Sequence, residues 1–112
     1  MWFAANLFFR GRRSNDRSGA DDLWEERIVL VAASGETEAR AAAEQIAKKE
    51  EHEYCTDSAS GDRLRWTFSK IERVFPIGEV TLSHGTELFS RFLRRSEVES
   101  LLRPFDDSEP FS

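Results

Sequence analysis

The chain contains a single cysteine, Cys55, so no disulfide can form within it. A lone thiol fits a reducing compartment. No histidine is placed to activate it, and the expectation for Cys55 is a buried or half-buried position on a strand. Histidine is also scarce: His52 and His84 are the only two. Metal centres usually take three or four ligands at workable spacing. His52 has Glu50, Glu51, Glu53 and Cys55 around it but no second histidine on a helical turn. A polar helix end accounts for it better, and no metal or other cofactor is expected. The six glycines, at positions 11, 19, 35, 61, 78 and 85, are scattered, which excludes a glycine-rich phosphate loop. No serine sits in a Gly-x-Ser-x-Gly elbow. Hydrophobic runs are short as well. The apolar opening Met1–Phe9 is far from the roughly 20 residues that span a bilayer. Its arginines follow the apolar run, unlike those of a signal peptide. A cytoplasmic location is expected by default.

Enough apolar mass is present to fold: 39% of the 112 residues are hydrophobic, and nine Phe and three Trp supply large side chains. This is the size of one domain, expected over 1–103 with a frayed tail over 104–112. The formal net charge of −5 gives no general attraction to nucleic acid, and it allows a basic partner. Arg10, Arg12, Arg13 and Arg17 crowd one stretch, and Arg91, Arg94, Arg95 and Arg103 another. Solvated surfaces are the simpler account of both clusters.

Trp2 to Arg10 reads as a first strand, apolar on both faces and therefore placed centrally or under the helix. A long polar connection follows, from Gly11 to Asp22. Leu23 to Ala33 alternates as a second strand that runs from an exposed end into the core. Ser34 is placed to cap a helix, with Glu36 and Glu38 in its first turn. Ala39, Ala42, Ala43, Ile46 and Ala47 then recur at helical spacing and make an apolar stripe. Small side chains there predict close approach of helix to sheet. Glu44 and Lys48 can pair on the outer side, and the helix is expected to end near Glu51. Glu53–Thr56 and Arg63–Val74 read as a hairpin around an Asp/Ser/Gly turn. Leu64, Trp66 and Phe68 share one face of its second strand. Pro76 and Gly78 are expected to break the pattern. Val80 and Leu82 suit a short edge strand, and Thr86 to Arg94 a last long strand. Ser96 and Glu99 form the spacing of a capping box for a short helix that Pro104 stops. Trp2, Phe8, Trp24, Trp66, Phe68, Phe89 and Phe92 are expected mostly in the core. The order β-β-α-β-β-β groups its strands, which predicts an α+β fold: one antiparallel sheet of about five strands with an amphipathic helix on one face.

Certain charged residues are candidates for a site. Glu25 and Glu26 are neighbours on a strand, so they point to opposite faces and cannot act as a pair. Glu26 shares its face with Trp24 and Ile28. Glu87, Arg91 and Arg65 are read as strand residues that can meet Glu26 or Glu25 across the sheet. An exposed cross-strand ladder is the plainer arrangement, contributing under about 1 kcal/mol per pair. Lining a concave surface with a tryptophan, the same four residues would form a binding site, so Glu26, Arg65, Glu87 and Arg91 are the candidates. None is assigned a catalytic role.

Four stretches carry a resemblance. They are Trp2-Phe3-Ala4, Glu25-Glu26-Arg27-Ile28-Val29-Leu30, the Ala-rich helix ending in Glu50-Glu51-His52-Glu53-Tyr54, and the pair Arg65-Trp66-Thr67-Phe68 and Gly85-Thr86-Glu87-Leu88-Phe89-Ser90-Arg91. Together they cover most of the chain, which resembles the small bacterial domain-of-unknown-function family numbered forty-two eighty-eight. The resemblance implies a compact one-domain fold and no activity, cofactor or partner. The functional expectation is therefore a non-enzymatic protein-interaction module, of the inhibitor or immunity-partner kind, binding a protein or a second copy through a sheet face or an edge strand. The alternatives are a small ligand-binding domain or enzyme that uses the Glu/Arg cluster, and nucleic-acid binding through the arginine-rich stretch.

Overall fold

The computed structural model describes residues 1–14, 23–57, 59–78 and 83–103. The expected edge strand around Val80 and Leu82, most of the 11–22 connection and the 104–112 tail lie outside the described residues.

The elements are β1 (Trp2–Arg13), β2 (Leu23–Ala32), α1 (Glu36–Lys49), β3 (His52–Asp57), β4 (Asp62–Gly78) and α2 (Arg95–Leu102). The four strands form one antiparallel sheet in the order β2-β1-β4-β3. The expected α+β class holds, with four strands in place of about five. The missing one is Thr86–Arg94, which has no regular secondary structure and, among the described residues, pairs with no strand. Its residues alternate as those of a strand do, but a segment that lies across a sheet face alternates in the same way.

β1 is the central strand because both of its faces are apolar. Phe3, Ala4, Ala5, Asn6 and Leu7 are all buried in succession. Its odd residues face α1 together with the odd residues of β2, and Phe3 lies opposite Val31 and Ala5 opposite Val29. From β4, Leu64, Trp66, Phe68, Ile71 and Val74 complete that layer. Ala39, Ala43 and Ala47 of α1 are fully buried against it. The buried helix positions contribute only methyl groups, with Ile46 packed at the side, and Phe3, Leu7 and Phe9 supply the volume of the core. α1 carries the chain from β2 at one edge to β3 at the other.

Helix ends fall within two residues of the expected ones. α1 is capped by Gly35, not Ser34, and ends at Lys49 with Glu50 as its C-cap. The Ser34 hydroxyl and its backbone N–H (3.3 Å) both donate to Glu38 instead. α2 is capped two residues earlier than expected: the Glu97 carboxylate accepts from the Arg94 N–H at 2.8 Å. β4 runs through Pro76 to Gly78, which were expected to end it. β3 pairs with β4 only as far as Trp66, so the outer edge of the later half has no ladder for a proline to interrupt. Irregularities in the β1–β4 register accompany this stretch. Cys55 is on β3 as expected but exposed, because no layer covers that edge.

Candidate functional site

The sheet face away from α1 has only a narrow cover. It carries the even residues of β1 and β2: Ala4, Asn6, Phe8 and Arg10 beside Leu30, Ile28, Glu26 and Trp24. The segment 86–94 straps the β4 side of this face. Phe89 packs edge-on against Phe75, with ring centroids 6.1 Å apart, and lies between the guanidinium groups of Arg73 (5.6 Å) and Arg91 (5.8 Å). Arg73 Nη1 also donates to the Ser90 carbonyl at 2.8 Å. Arg91 Nη1 donates to both oxygens of Glu72, at 3.1 and 3.2 Å. Asn6, on the same face of the central strand, is completely buried.

Beyond the strap the chain turns into α2, and an open recess of about 380 Å³ lies between α2 and the sheet. Phe8 and Glu26 come from the sheet side, Arg91 and Leu93 from the strap, and Glu97 and Leu101 from α2. Glu26 is held from below: Asn6 Nδ2 donates to its Oε2 at 3.0 Å. The other amide atom, Asn6 Oδ1, is buried and accepts no hydrogen bond. Sequence reasoning missed Asn6. The only signal was a polar residue in the middle of the most apolar strand.

Of the four candidate residues, Glu26 and Arg91 line this recess together. Arg91 does not pair with Glu26, since its partner is Glu72 on β4. Arg65 and Glu87 are not brought to it. Arg65 is exposed near the other end of β4, opposite Arg12 and Glu53. Glu87 is exposed on the strap. Glu25 points to the helix face, as strand alternation requires, and accepts from Arg27 Nε at 2.9 Å. Arg27 also reaches Glu50 at 3.1 Å and lies 5.1 Å from the centre of the Phe9 ring. Burial opposes its charge, but the hydrogen bonds to Glu25 and Glu50 prevail and raise its pKa.

Two further groups have structural roles. Asp62 is buried and accepts from Arg13 Nε (2.7 Å), Ser14 Oγ (3.1 Å) and Thr56 Oγ1 (3.2 Å), which ties the end of β1 to the β3–β4 hairpin. His52 Nδ1 lies 2.9 Å from the Glu50 carbonyl, and its ring stacks on Tyr54.

The expected aromatic core is only partly realised. Trp66 is buried and Phe8, Phe68 and Phe89 are half-buried, whereas Trp2, Trp24 and Phe92 are exposed, Phe92 completely. The alanine helix covers one sheet face, the strap covers part of the other, and these three rings lie beyond both. α2 has no buried residue, although Val98, Leu101 and Leu102 follow the i, i+3, i+4 spacing of an apolar stripe.

Residues 2–90 match the family model described as Domain of unknown function (DUF4288). The chain belongs to this family. The match ends inside the strap, so Glu26, Asn6 and Phe8 lie within it while Arg91 and α2 lie past it. Nothing among curated proteins or solved structures matches the chain. No helix among the described residues is long and apolar enough to cross a membrane.

Proposed function

We propose that the chain is a non-catalytic protein-interaction module that docks α2 and Phe92 into an apolar groove on a second protein. One observation carries this: α2 is eight residues long and buries none of its apolar side chains. Isolated helices shorter than about 12 residues are marginal in water. A packed face normally stabilises them, and among the described residues this helix buries no side chain, Val98 being its most covered apolar residue at 39% exposed. Val98, Leu101 and Leu102 are the anchors by which an amphipathic helix enters a groove. The net charge of −5 favours a partner of opposite sign.

The test immobilises the full chain and a double variant, Leu101→Glu with Leu102→Glu, and exposes both to lysate of the source organism. Both side chains are exposed, so the variant keeps its fold, which circular dichroism checks. The expected result is a protein retained by the natural chain, lost with the variant, and bound again in isolation. Identical retention by the two overturns the proposal.

A second reading has its own support. Asn6 fixes the Glu26 carboxylate at a recess with an aromatic wall, Phe8. Among the described residues Glu26 makes no ion pair, so the recess suits a small molecule with a cationic head on an apolar body. Thermal shifts with a panel of hydrophobic amines test this. A rise in Tm that Glu26→Gln abolishes supports it, and a flat response across the panel rules it out.

A further inference from the structure

β2 forms one edge of the sheet, and its backbone shows which of its groups are unpaired. The Ala33 N–H donates to the Met1 carbonyl at 3.0 Å, and the β1–β2 register continues from there without a bulge. In an antiparallel ladder, residues that exchange both bonds alternate with residues that exchange none. The odd residues of β2 are therefore bonded to β1. Trp24, Glu26, Ile28, Leu30 and Ala32 turn both N–H and C=O away from the sheet. Among the described residues no strand meets them.

Natural edge strands are usually protected by charged side chains, proline, a bulge or short length. β2 is ten residues long, has no lysine, proline or bulge, and carries charges only at Glu25, Glu26 and Arg27 in its first half. Its second half, Ile28-Val29-Leu30-Val31-Ala32, carries no charge at all. The side chains of Trp24, Ile28 and Leu30 on the face away from α1 are 49%, 52% and 43% exposed.

We propose that β2 pairs with β2 of a second copy of this chain, about a two-fold axis at Ile28, to make a continuous eight-stranded sheet. A two-fold contact uses the same strand on both sides, so its register must be self-complementary. Centring at Glu26 or at Arg27 would set like charges directly opposite each other. Centring at Ile28 avoids this and still pairs nearly the whole strand: Glu26 faces the partner's Leu30, Trp24 the partner's Ala32, and Arg27 the partner's Val29. The outward groups then bond pair by pair. Trp24, Ile28 and Leu30 of both copies join in one apolar band across the seam. The dimer does not use α2, so it stands or falls separately from the docking proposed above.

Sedimentation velocity on the full chain across a wide concentration range is the test, with amide exchange at low and high concentration. The expected mass is twice 12.9 kDa. Ile28→Pro removes an outward N–H and no bond to β1, so it gives a folded chain of 12.9 kDa. Ile28→Lys, which leaves the backbone untouched, does the same. The Leu101→Glu, Leu102→Glu variant remains dimeric. In the natural chain, association slows exchange at the amides of Trp24, Glu26, Ile28 and Leu30. A natural chain of 12.9 kDa throughout, a dimer that survives both Ile28 substitutions, or a dimer without slowing at those amides overturns the proposal. A monomer with those amides already protected gives the edge to another part of the chain and also overturns it.

Discussion

At the residue scale, single contacts decide how the layers meet. A Cβ added at Gly11 would come within 3.0 Å of the Trp66 ring, which lies across the β1 backbone there. That ring belongs to the buried core and has little room to give. Gly11→Ala is expected to cost about 1–3 kcal/mol, read as a lower urea midpoint with an unchanged slope. Asp62→Ala removes the carboxylate that Arg13, Ser14 and Thr56 share near the end of the sheet. Because the Arg13 side chain is 33% exposed, the loss is expected to be about 1–3 kcal/mol, measured in the same way. Glu38 is a pH probe. The Ser34 hydroxyl and then the Ser34 N–H stabilise its charged form and hold its pKa below the ordinary carboxylate value. The unfolded chain therefore binds this proton more readily than the folded one. The contact contributes stability above the ordinary carboxylate range and loses it as pH falls through the lowered value. In Ser34→Ala, carboxyl NMR titration is expected to show Glu38 moved up toward that ordinary range.

At the element scale, the alanine stripe was the clearest signal in the sequence, and it is the face that α1 buries. Periodicity is enough when one helix face meets one core. Ala43→Leu forces extra volume between helix and sheet and is expected to cost about 1–3 kcal/mol, while the same change at exposed Ala41 is close to neutral. Thermal denaturation of the pair separates close packing from helix propensity. Residues apolar on both faces placed β1 either centrally or under the helix, and the sheet order makes it central. Thr86–Arg94 was misread because its aromatic and arginine residues alternate to grip Phe75, Arg73 and Glu72 on the sheet face, not to join a ladder. Half of the candidate site was legible. Strand alternation placed Glu26 on the face away from the helix, but no local pattern shows where a strap will cross, so Arg91 reached the recess while Arg65 and Glu87 did not. Asn6 beneath Glu26 required the fold.

At the scale of the whole molecule, the two faces of the sheet differ in kind. One is sealed by a helix of small side chains. The other is crossed by a strap and leaves a row of apolar side chains on β2 and an unsupported helix beyond it. Soluble domains seldom leave large contiguous apolar surface open without a use for it. Buried area is thus concentrated in the α1 layer, and interaction capacity in the other.

The most direct measurement is residue-by-residue solvent accessibility in the isolated chain, from NMR signal broadening by a soluble paramagnetic probe. The methyls of Val98, Leu101 and Leu102 and the ring of Phe92 are predicted to broaden strongly, while those of Ala39, Ala43 and Ala47 remain sharp. Shielded methyls on α2 in the chain alone would contradict an uncovered docking helix.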